Sequence, residues 1–262
     1  QTGELEFNEI TYSLGVSYNP MSFLNYYLNY STAFETPTFT EFANPSSNGT
    51  LGGFANVSAQ RSDGYELGIR IDAGKHFNSS FAYYHLDVED EVTTVSNVDG
   101  RAFFNNADTR RSGVELDFQV MLVENLNLSA SFTHSNLNFT KFANTPEAVG
   151  NRLPGVPKQH GYLGLDYENP KGIFANWNLN YVGKIYANNV NSVSDASYLV
   201  SNLVFGHNYK FEKYRLIGKI GINNLFDKDY NQEIRIQDAT SRFFETAPKR
   251  NFFGSIEFQV GF

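Results

Sequence analysis

The chain has 262 residues, a net charge of −8 and a pI near 5.1. This acidic balance argues against a nucleic-acid partner, and the absence of cysteine excludes disulfides, thiolate metal sites and a cysteine nucleophile. Aromatic residues make up 16% of the chain although the mean hydropathy is −0.39. That combination is typical of strands with one face toward lipid and one toward water. The chain contains no apolar run of about 18 residues, so no transmembrane helix is predicted.

Apolar residues recur with a period of two along the chain, which predicts β-strands rather than helices. The pattern is clear from the first segment to the last, where aliphatic and aromatic residues alternate with Ser, Glu and Gln. The alternation is weaker at 84–88 and 198–207, where the sequence does not predict which face of the strand each residue occupies. In chain order, the eleven predicted strands are 9–19, 22–34, 62–73, 79–96, 101–120, 126–139, 158–168, 172–187, 197–208, 213–226 and 248–262.

The connections alternate between short and long, which is typical of bacterial outer-membrane barrels. Short turns contain Asn, Gly or Pro, the residues that tight turns favour. They are predicted at 19–22, 74–77, 123–125, 169–172 and 208–211. The long connections are predicted at 35–61, 140–157, 188–196 and 227–247. The link near 97–100 is short, but its flanking strands are long, and we expect them to project past the membrane.

The strand count predicts part of a larger barrel. The first and last strands both end on the side of the short turns, so their number is odd, whereas closed bacterial barrels have an even number. Eleven strands are half of a 22-strand transmembrane antiparallel barrel. We therefore expect an open, curved sheet whose edges pair with protein beyond these strands, rather than a closed eleven-strand barrel or a sandwich.

Four segments, in order along the chain, resemble TonB-dependent receptors. They are similar to the family's S-x-x-Y-E-x-G strand start, its G-V-E strand, its N-L-F-D-x-x-Y segment and its P-x-R-x-F final strand. A fifth segment, 153–157, is similar to a strand entry of the family, and Lys249 departs from a position that is often Gly. The four segments are Ser62–Arg70, Arg111–Asp117, Asn224–Asp227 followed by Tyr230, and Pro248–Phe252 leading to Phe262.

The resemblance implies that residues 1–262 are the C-terminal part of a receptor β-barrel in the bacterial outer membrane. The plug domain and the TonB-binding segment are expected outside this chain. The implied function is TonB-dependent uptake of a scarce nutrient, with an iron–siderophore complex favoured over cobalamin, haem, copper or oligosaccharide. A passive porin and a soluble adhesion domain are the alternatives from other functional classes.

The resemblance also implies partners but no cofactor. TonB is expected to act through the plug, the ligand through the loops, and membrane lipid on the apolar faces. The barrel-assembly machinery is expected to read the end of the last strand, at Phe262 with Val260 and Phe258. Asn224 and Asp227 are expected to bond local backbone where the chain leaves the sheet.

The sequence predicts neither an enzyme nor a metal site. The five histidines are scattered without metal-ligand spacing, and no nucleophile elbow, P-loop or dinucleotide motif occurs. The acidic run at 87–91 has two interpretations, a Ca²⁺ site or a solvated rim.

Ligand contacts are expected from aromatic and arginine residues of the long connections. Such residues suit a flat or anionic ligand through stacking and charge, although they also pack loops against one another. The candidates are Phe39, Phe42, Phe54, Phe142, Arg235, Arg242, Phe243 and Phe244.

Overall fold

A single antiparallel sheet of eleven strands dominates the structure, a computed structural model that describes residues 6–43, 57–98 and 101–261. Two short hairpins, β9–β10 and β13–β14, a helix α1 (Phe39–Ala43) and a 3₁₀ turn (Pro146–Ala148) lie in the long connections. The strands are β1 (Ser13–Met21), β2 (Leu24–Glu35), β3 (Gln60–Asp72), β4 (Phe77–Val98), β5 (Arg101–Val123), β6 (Leu126–Lys141), β7 (Gln159–Glu168), β8 (Ile173–Val182), β9 (Ile185–Tyr186), β10 (Ser194–Asp195), β11 (Tyr198–Phe211), β12 (Tyr214–Asn223), β13 (Asn231–Ile234), β14 (Phe244–Thr246) and β15 (Asn251–Val260).

The sheet has one apolar and one polar face, as the alternation predicts. In β15, Phe252, Ile256 and Phe258 are 73%, 82% and 62% exposed on the apolar face, whereas Ser255 and Glu257 alternate with them. In a membrane barrel the apolar face contacts lipid and the polar face lines the interior. We call these the outer face and the inner face.

Tyrosines of the outer face cluster near the membrane boundary. The rings of Tyr12 and Tyr30 lie 6.0 Å apart, and those of Tyr65 and Tyr83 lie 6.2 Å apart. Tyr30 and Tyr65 are paired across β2 and β3, so these rings form one row. Such aromatic girdles mark the interfacial level of outer-membrane barrels. Among the described residues, no helix has the length and apolarity needed to cross a membrane.

The short and long connections alternate as predicted, apart from the link between β4 and β5. β4 ends at Val98 and β5 begins at Arg101, so this link is short, as the sequence predicts. The turns after β1, β3, β5, β7 and β11 are short, whereas the chain makes its long excursions after β2, β6, β8 and β12. β1 and β15 form the two edges of the sheet, and they do not pair with each other within the described ranges. The expectation of an open sheet is therefore confirmed, and pairing of its edges with further protein stays a prediction.

Two predicted strands end three or more residues earlier than expected. The prediction of one strand over 172–187 is wrong, because β8 ends at Val182 and the next residues pair within their own loop as β9 and β10. The predicted strand 213–226 ends at Asn223, because Asn224 adopts a left-handed conformation with φ 52°. The Asn224 side chain then donates to Lys228 O (2.8 Å) and accepts from Lys228 N (2.7 Å).

The expected bonding to local backbone is confirmed for Asn224, whereas the Asp227 side chain bonds to a distant part of the chain. Asp227 also has a left-handed backbone, with φ 56°, and its Oδ1 accepts a hydrogen bond from Arg250 N (2.9 Å). Together, the Asn224 and Asp227 side chains turn the chain out of the sheet and fasten it to the start of β15. Asn and Asp tolerate this backbone region better than other residues with side chains.

Candidate ligand-binding surface

The connection between β6 and β7 packs on the inner face at one end of the sheet. Phe139, which lies on the inner face of β6, is 1% exposed and its ring lies 5.2 Å from that of Phe142. Ala107 and Ala148 complete this buried cluster, with Val95 and Leu153 packed against it. The loop between β6 and β7 is thereby anchored on β5 and β6, so the cover over the inner face is held by apolar packing.

Hydrogen bonds join the end of β4 and two further connections into one loop assembly, formed by 93–97, 187–193 and 235–242. Gln237 Nε2 donates to Val95 O (3.0 Å), and its backbone N–H donates to Ala187 O (2.9 Å). Asn189, which is 1% exposed, donates to Thr94 O (3.1 Å). These bonds tie residues from distant parts of the sequence, so the assembly behaves as a unit.

Four predicted contact residues lie together on the β13–β14 hairpin and its connecting segment. Arg235 pairs with Glu245 across the hairpin, so its charge is balanced locally. The Phe243 and Phe244 rings lie 6.1 Å apart, and Phe244 is 37% exposed. Arg242 Nε donates to Thr240 Oγ1 (2.7 Å). The hairpin therefore presents two rings beside a neutralised ion pair.

The other predicted contact residues are dispersed. Phe142 is 2% exposed and packs inside the loop core, so the structure gives it a packing role and no ligand-accessible surface. Phe39 is 80% exposed at the start of α1. Phe42 lies in the same helix, but its side chain and the whole of Phe54 lie outside the described residues.

Two carboxylates of the acidic run 87–91 bond to basic side chains of the protein itself. Asp87 accepts from Arg110 Nε (2.7 Å) and His85 Nε2 (3.1 Å), and Glu91 accepts from Arg111 (2.6 Å). In the described ranges no group of three or more possible metal ligands is found. These contacts favour the rim interpretation of the acidic run over the Ca²⁺ site.

Two loop residues have shifted pKa values. Burial lowers the pKa of the Arg152 guanidinium, and its Nε is buried without a hydrogen-bond partner in the described part of the chain. The hydroxyl of Thr240, which donates to Asp238 Oδ1 (2.5 Å), lowers the pKa of that carboxyl group. Thr240 N also donates to Asp238 Oδ1 (2.7 Å), so a single carboxylate organises this loop turn.

The inner face of β2–β5 is charged. Glu66 and Arg70 lie on β3, and Glu115 and Asp117 lie on β5. The Arg70 guanidinium is 4.4 Å from the centre of the Tyr27 ring, a cation–π contact. This region, which we call the charged half, has the composition of a surface that meets polar groups or water.

The inner face of β8, β11, β12 and β15 has a different composition, and sequence reasoning missed it. Asn178 pairs with Asn202 in register, and Asn223 pairs with Asn251. The neighbouring pair Leu203 and Ile222 places Asn202 beside Asn223. We call this the asparagine row: four amides on four successive strands of the sheet, Asn178, Asn202, Asn223 and Asn251.

Side-chain hydrogen bonds order the asparagine row. Asn202 Nδ2 donates to Asn178 Oδ1 (2.9 Å), and Asn223 Nδ2 donates to Asn251 Oδ1 (2.9 Å). Asn202 Oδ1 accepts from the backbone N–H of Asn224 (2.9 Å), which connects the row to the turn after β12. The row is therefore held in place before any ligand arrives.

Comparison with known proteins decides the family. The family model described as "TonB dependent receptor-like, beta-barrel" matches residues 1–225. The chain belongs to this family. An uncharacterized TonB-dependent receptor of Haemophilus influenzae is 26% identical over 211 residues, covering 75% of this chain and 60% of that protein.

Curated relatives of the family include named siderophore receptors. The ferrioxamine B receptor of Salmonella typhimurium is 24% identical, covering 78% of this chain and 28% of that protein. The ferrichrome outer membrane transporter/phage receptor of Escherichia coli is 25% identical, covering 87% and 30%. The chain thus spans 28–60% of the length of these three relatives.

Solved receptors share the fold. The unliganded ferric citrate transporter FecA superposes with a TM-score of 0.77 at 19% identity, covering 96% of this chain and 38% of that one. The ferric yersiniabactin uptake receptor FyuA from Yersinia pestis gives 0.73 at 19% identity, covering 95% and 37%. As part of a TonB-dependent receptor barrel, this sheet lies in the bacterial outer membrane.

Two of the three predicted insertion residues of this receptor barrel lie on the last strand. Phe258 and Val260 are 62% and 60% exposed on the outer face, and the Phe258 ring stacks on Tyr214 at 5.6 Å. Phe262 lies outside the described residues. Recognition of these side chains during membrane insertion stays a prediction.

Proposed function

We propose that the receptor containing this chain imports a scarce nutrient across the outer membrane, and that the nutrient is an iron–siderophore complex. The observation that carries the proposal is a TonB-dependent receptor barrel whose loop assembly folds over a polar inner face. This arrangement provides a binding surface above an interior through which a polar ligand passes. Relatives named for ferrioxamine B and ferrichrome support a siderophore as the ligand.

TonB drives this import through a plug region, and the segment described above supplies barrel and ligand-capturing loops. The test is growth of a strain lacking the receptor, on defined ferric siderophores as the sole iron source, with and without TonB. The proposal predicts growth that requires both the receptor and TonB. Growth without TonB would instead indicate a passive channel, and equal growth with and without the receptor on every siderophore would contradict the iron proposal.

The β13–β14 hairpin supplies ligand contacts in this proposal. Replacing Phe244 by Ala removes an exposed ring and is expected to weaken binding about tenfold, which corresponds to about 1.4 kcal/mol. Phe205→Ala is the matched control, since Phe205 is 52% exposed on the outer face. Equal affinities of the two variants for the imported siderophore would refute the contact.

The barrel-assembly machinery and outer-membrane lipid are proposed partners of β15. Phe258→Lys places a charge on the outer face, where it is expected to cost up to about 2–4 kcal/mol, depending on depth. Gln259→Lys, on the inner face of the same strand, is the control. The amount of folded barrel, measured by its mobility in unheated gels, should fall only for the Phe258 variant. A parallel fall for Gln259→Lys would contradict the assigned faces.

A further inference from the structure

The asparagine row lies on the inner face, where an imported ligand passes. We propose that this row contacts the ligand and selects uncharged, hydrogen-bonding ligands over anionic ones. The inference rests on the proposed import function and names the chemical class of its ligand: a neutral chelate whose surface carries amide, hydroxamate or hydroxyl groups.

Amide groups of the asparagine row, and of Asn180 next to it on β8, have hydrogen-bonding capacity left for a ligand. In the described part of the chain, Asn178 Nδ2 donates no hydrogen bond, and Asn180 Oδ1 and Asn223 Oδ1 accept none, although Asn180 Nδ2 donates to Asn178 Oδ1 (3.1 Å). An amide offers both a donor and an acceptor without net charge. This surface therefore matches a partner that also has both, which is the character of amides, hydroxamates and hydroxyls.

The charge around the row favours a neutral partner. On the inner face of β8, β11, β12 and β15, the first charged residue toward the short turns is Lys219, beyond Gly221. The nearest acid on β7 is Asp166, which already accepts from Asn176 Nδ2 (2.5 Å). An anion brought against the amides loses water and meets no charged group within the row itself, and burial of an unpaired charge is costly. A neutral ligand loses much less.

A cleft of suitable size contains part of the row. It has a volume of about 460 Å³ and is lined by Asn202, Asn223 and Asn251 together with His160, Tyr198 and Tyr230. The rings of Tyr198 and Tyr230 lie 4.6 Å apart and add an apolar surface to the amides. Ligand pockets span about 300–1,000 Å³, so the cleft accommodates a ligand segment. Tyr230 directly precedes β13, so the chain continues from the cleft into the hairpin that carries Phe243 and Phe244.

The experiment measures binding by the purified full-length receptor, using quenching of its intrinsic fluorescence. The probes are a neutral ferric tris-hydroxamate, an anionic ferric tris-catecholate and an uncharged maltooligosaccharide. We expect the wild-type receptor to prefer the neutral chelate over the anionic one by at least about tenfold. Asn223→Lys places a cation in the row, and it should weaken the neutral chelate about tenfold and strengthen the anionic one.

Asn29→Lys is the matched control, because Asn29 is an exposed inner-face asparagine of β2 in the charged half. It should leave the preference unchanged. Asn223→Asp, which keeps the side-chain size, should further weaken the anionic chelate and serves if the lysine variant fails to fold. Folding of each variant is checked by its mobility in unheated gels.

A wild-type preference for the anionic chelate, or equal responses to the Asn223 and Asn29 substitutions, would overturn the proposal. Binding of the oligosaccharide alone, weakened by Asn223→Lys, would support the neutral row while the iron part of the proposed function fails. TonB-dependent growth on the tris-catecholate alone would do the reverse, supporting iron uptake and overturning the selectivity of the row.

Discussion

The two halves of the inner face differ in chemistry although their outer faces are alike. The charged half, on β2–β5, carries Glu66, Arg70, Glu115 and Asp117, whereas the asparagine row consists of neutral amides. Leu67 and Phe205, one from each half, are similarly exposed to lipid, at 42% and 52%. Lipid imposes one requirement on every strand. The inner face is free to vary with what it contacts, so its composition carries the functional information.

The largest expected effect tests whether the backbone is packed equally tightly on the inner faces of the two halves. Gly113 in the charged half lies under Tyr84, and Gly206, on the same strand as Asn202, lies under Phe174. A Cβ added at either position would lie 2.6 Å from a backbone carbonyl, that of His134 or Gly218. Each Gly→Ala change should therefore destabilise the barrel by about 1–3 kcal/mol, measured by thermal unfolding in detergent.

Gly218→Ala is the control for both variants, since a Cβ there meets nothing within 4 Å. It should unfold at the wild-type temperature. If only one of the two inner-face variants is destabilised, then the halves differ in backbone packing and not just in side-chain chemistry.

The next effect concerns adjacent arginines on opposite faces of β5. Arg111 pairs with Glu91, whose side chain is 16% exposed, whereas Arg110 pairs with Asp87 and is itself 57% exposed. Arg111→Met leaves a largely buried carboxylate without its cation and should cost about 1–3 kcal/mol. Arg110→Met should cost under about 1 kcal/mol. Denaturant or thermal unfolding of the two variants measures this order, and a reversed order would show that burial does not control these pairs.

A smaller effect is expected within the asparagine row itself. Asn202→Leu removes the side-chain oxygen that accepts a hydrogen bond from the Asn224 N–H, and Asn224 is only 2% exposed. It also removes the hydrogen bond from Asn202 Nδ2 to Asn178 Oδ1. The loss should be about 1–2 kcal/mol. Asn29→Leu in the charged half breaks no side-chain hydrogen bond within the described residues, and it should stay within about 0.5 kcal/mol of wild type. Equal stabilities of the two variants would argue against a prearranged row.

The smallest effect lies in the loop assembly above both halves. Hydrogen bonds lower the pKa of Asp238 below its ordinary value. The ionised carboxylate therefore stabilises the turn fully at any pH above the ordinary pKa, and the turn loosens as the pH falls through the lowered pKa. The protection factor of the Thr240 amide, the exchange rate of an unstructured peptide relative to its own rate at the same pH, should fall over that acidic range. In Asp238→Asn the protection factor should be lower at neutral pH and change less with acid. Unchanged protection in the variant would mean that the carboxylate does not hold the turn.

The strands were predictable from sequence because lipid forces an apolar residue at every second position. The turn at Asn224 was also predictable, since its side chain bonds to Lys228, only a few residues away. Both features depend on local sequence. The boundary of β8 was not predictable in this way, because the chain there exchanges one set of strand partners for another, β11 for β10.

The candidate site was harder to predict because it depends on register between strands. Alternate asparagines at 176, 178 and 180 were visible in the sequence, but only the pairing of β8 with β11 places Asn178 beside Asn202. Phe142 was selected as a loop aromatic, yet its burial depends on Phe139 and Ala107 from two other segments. A loop aromatic and a core aromatic have the same local sequence signature.

The residue-by-residue alternation of the two faces has an evolutionary consequence. Asn202 on the inner face is flanked by Ser201 and Leu203 on the outer one, so a mutation at 202 changes the chemistry of the inner face without altering the outer-face pattern. Single inner-face substitutions can therefore change the surface that lines the interior while insertion into the membrane stays under unchanged selection. Along each strand, residues constrained by lipid therefore alternate with residues that are free to change.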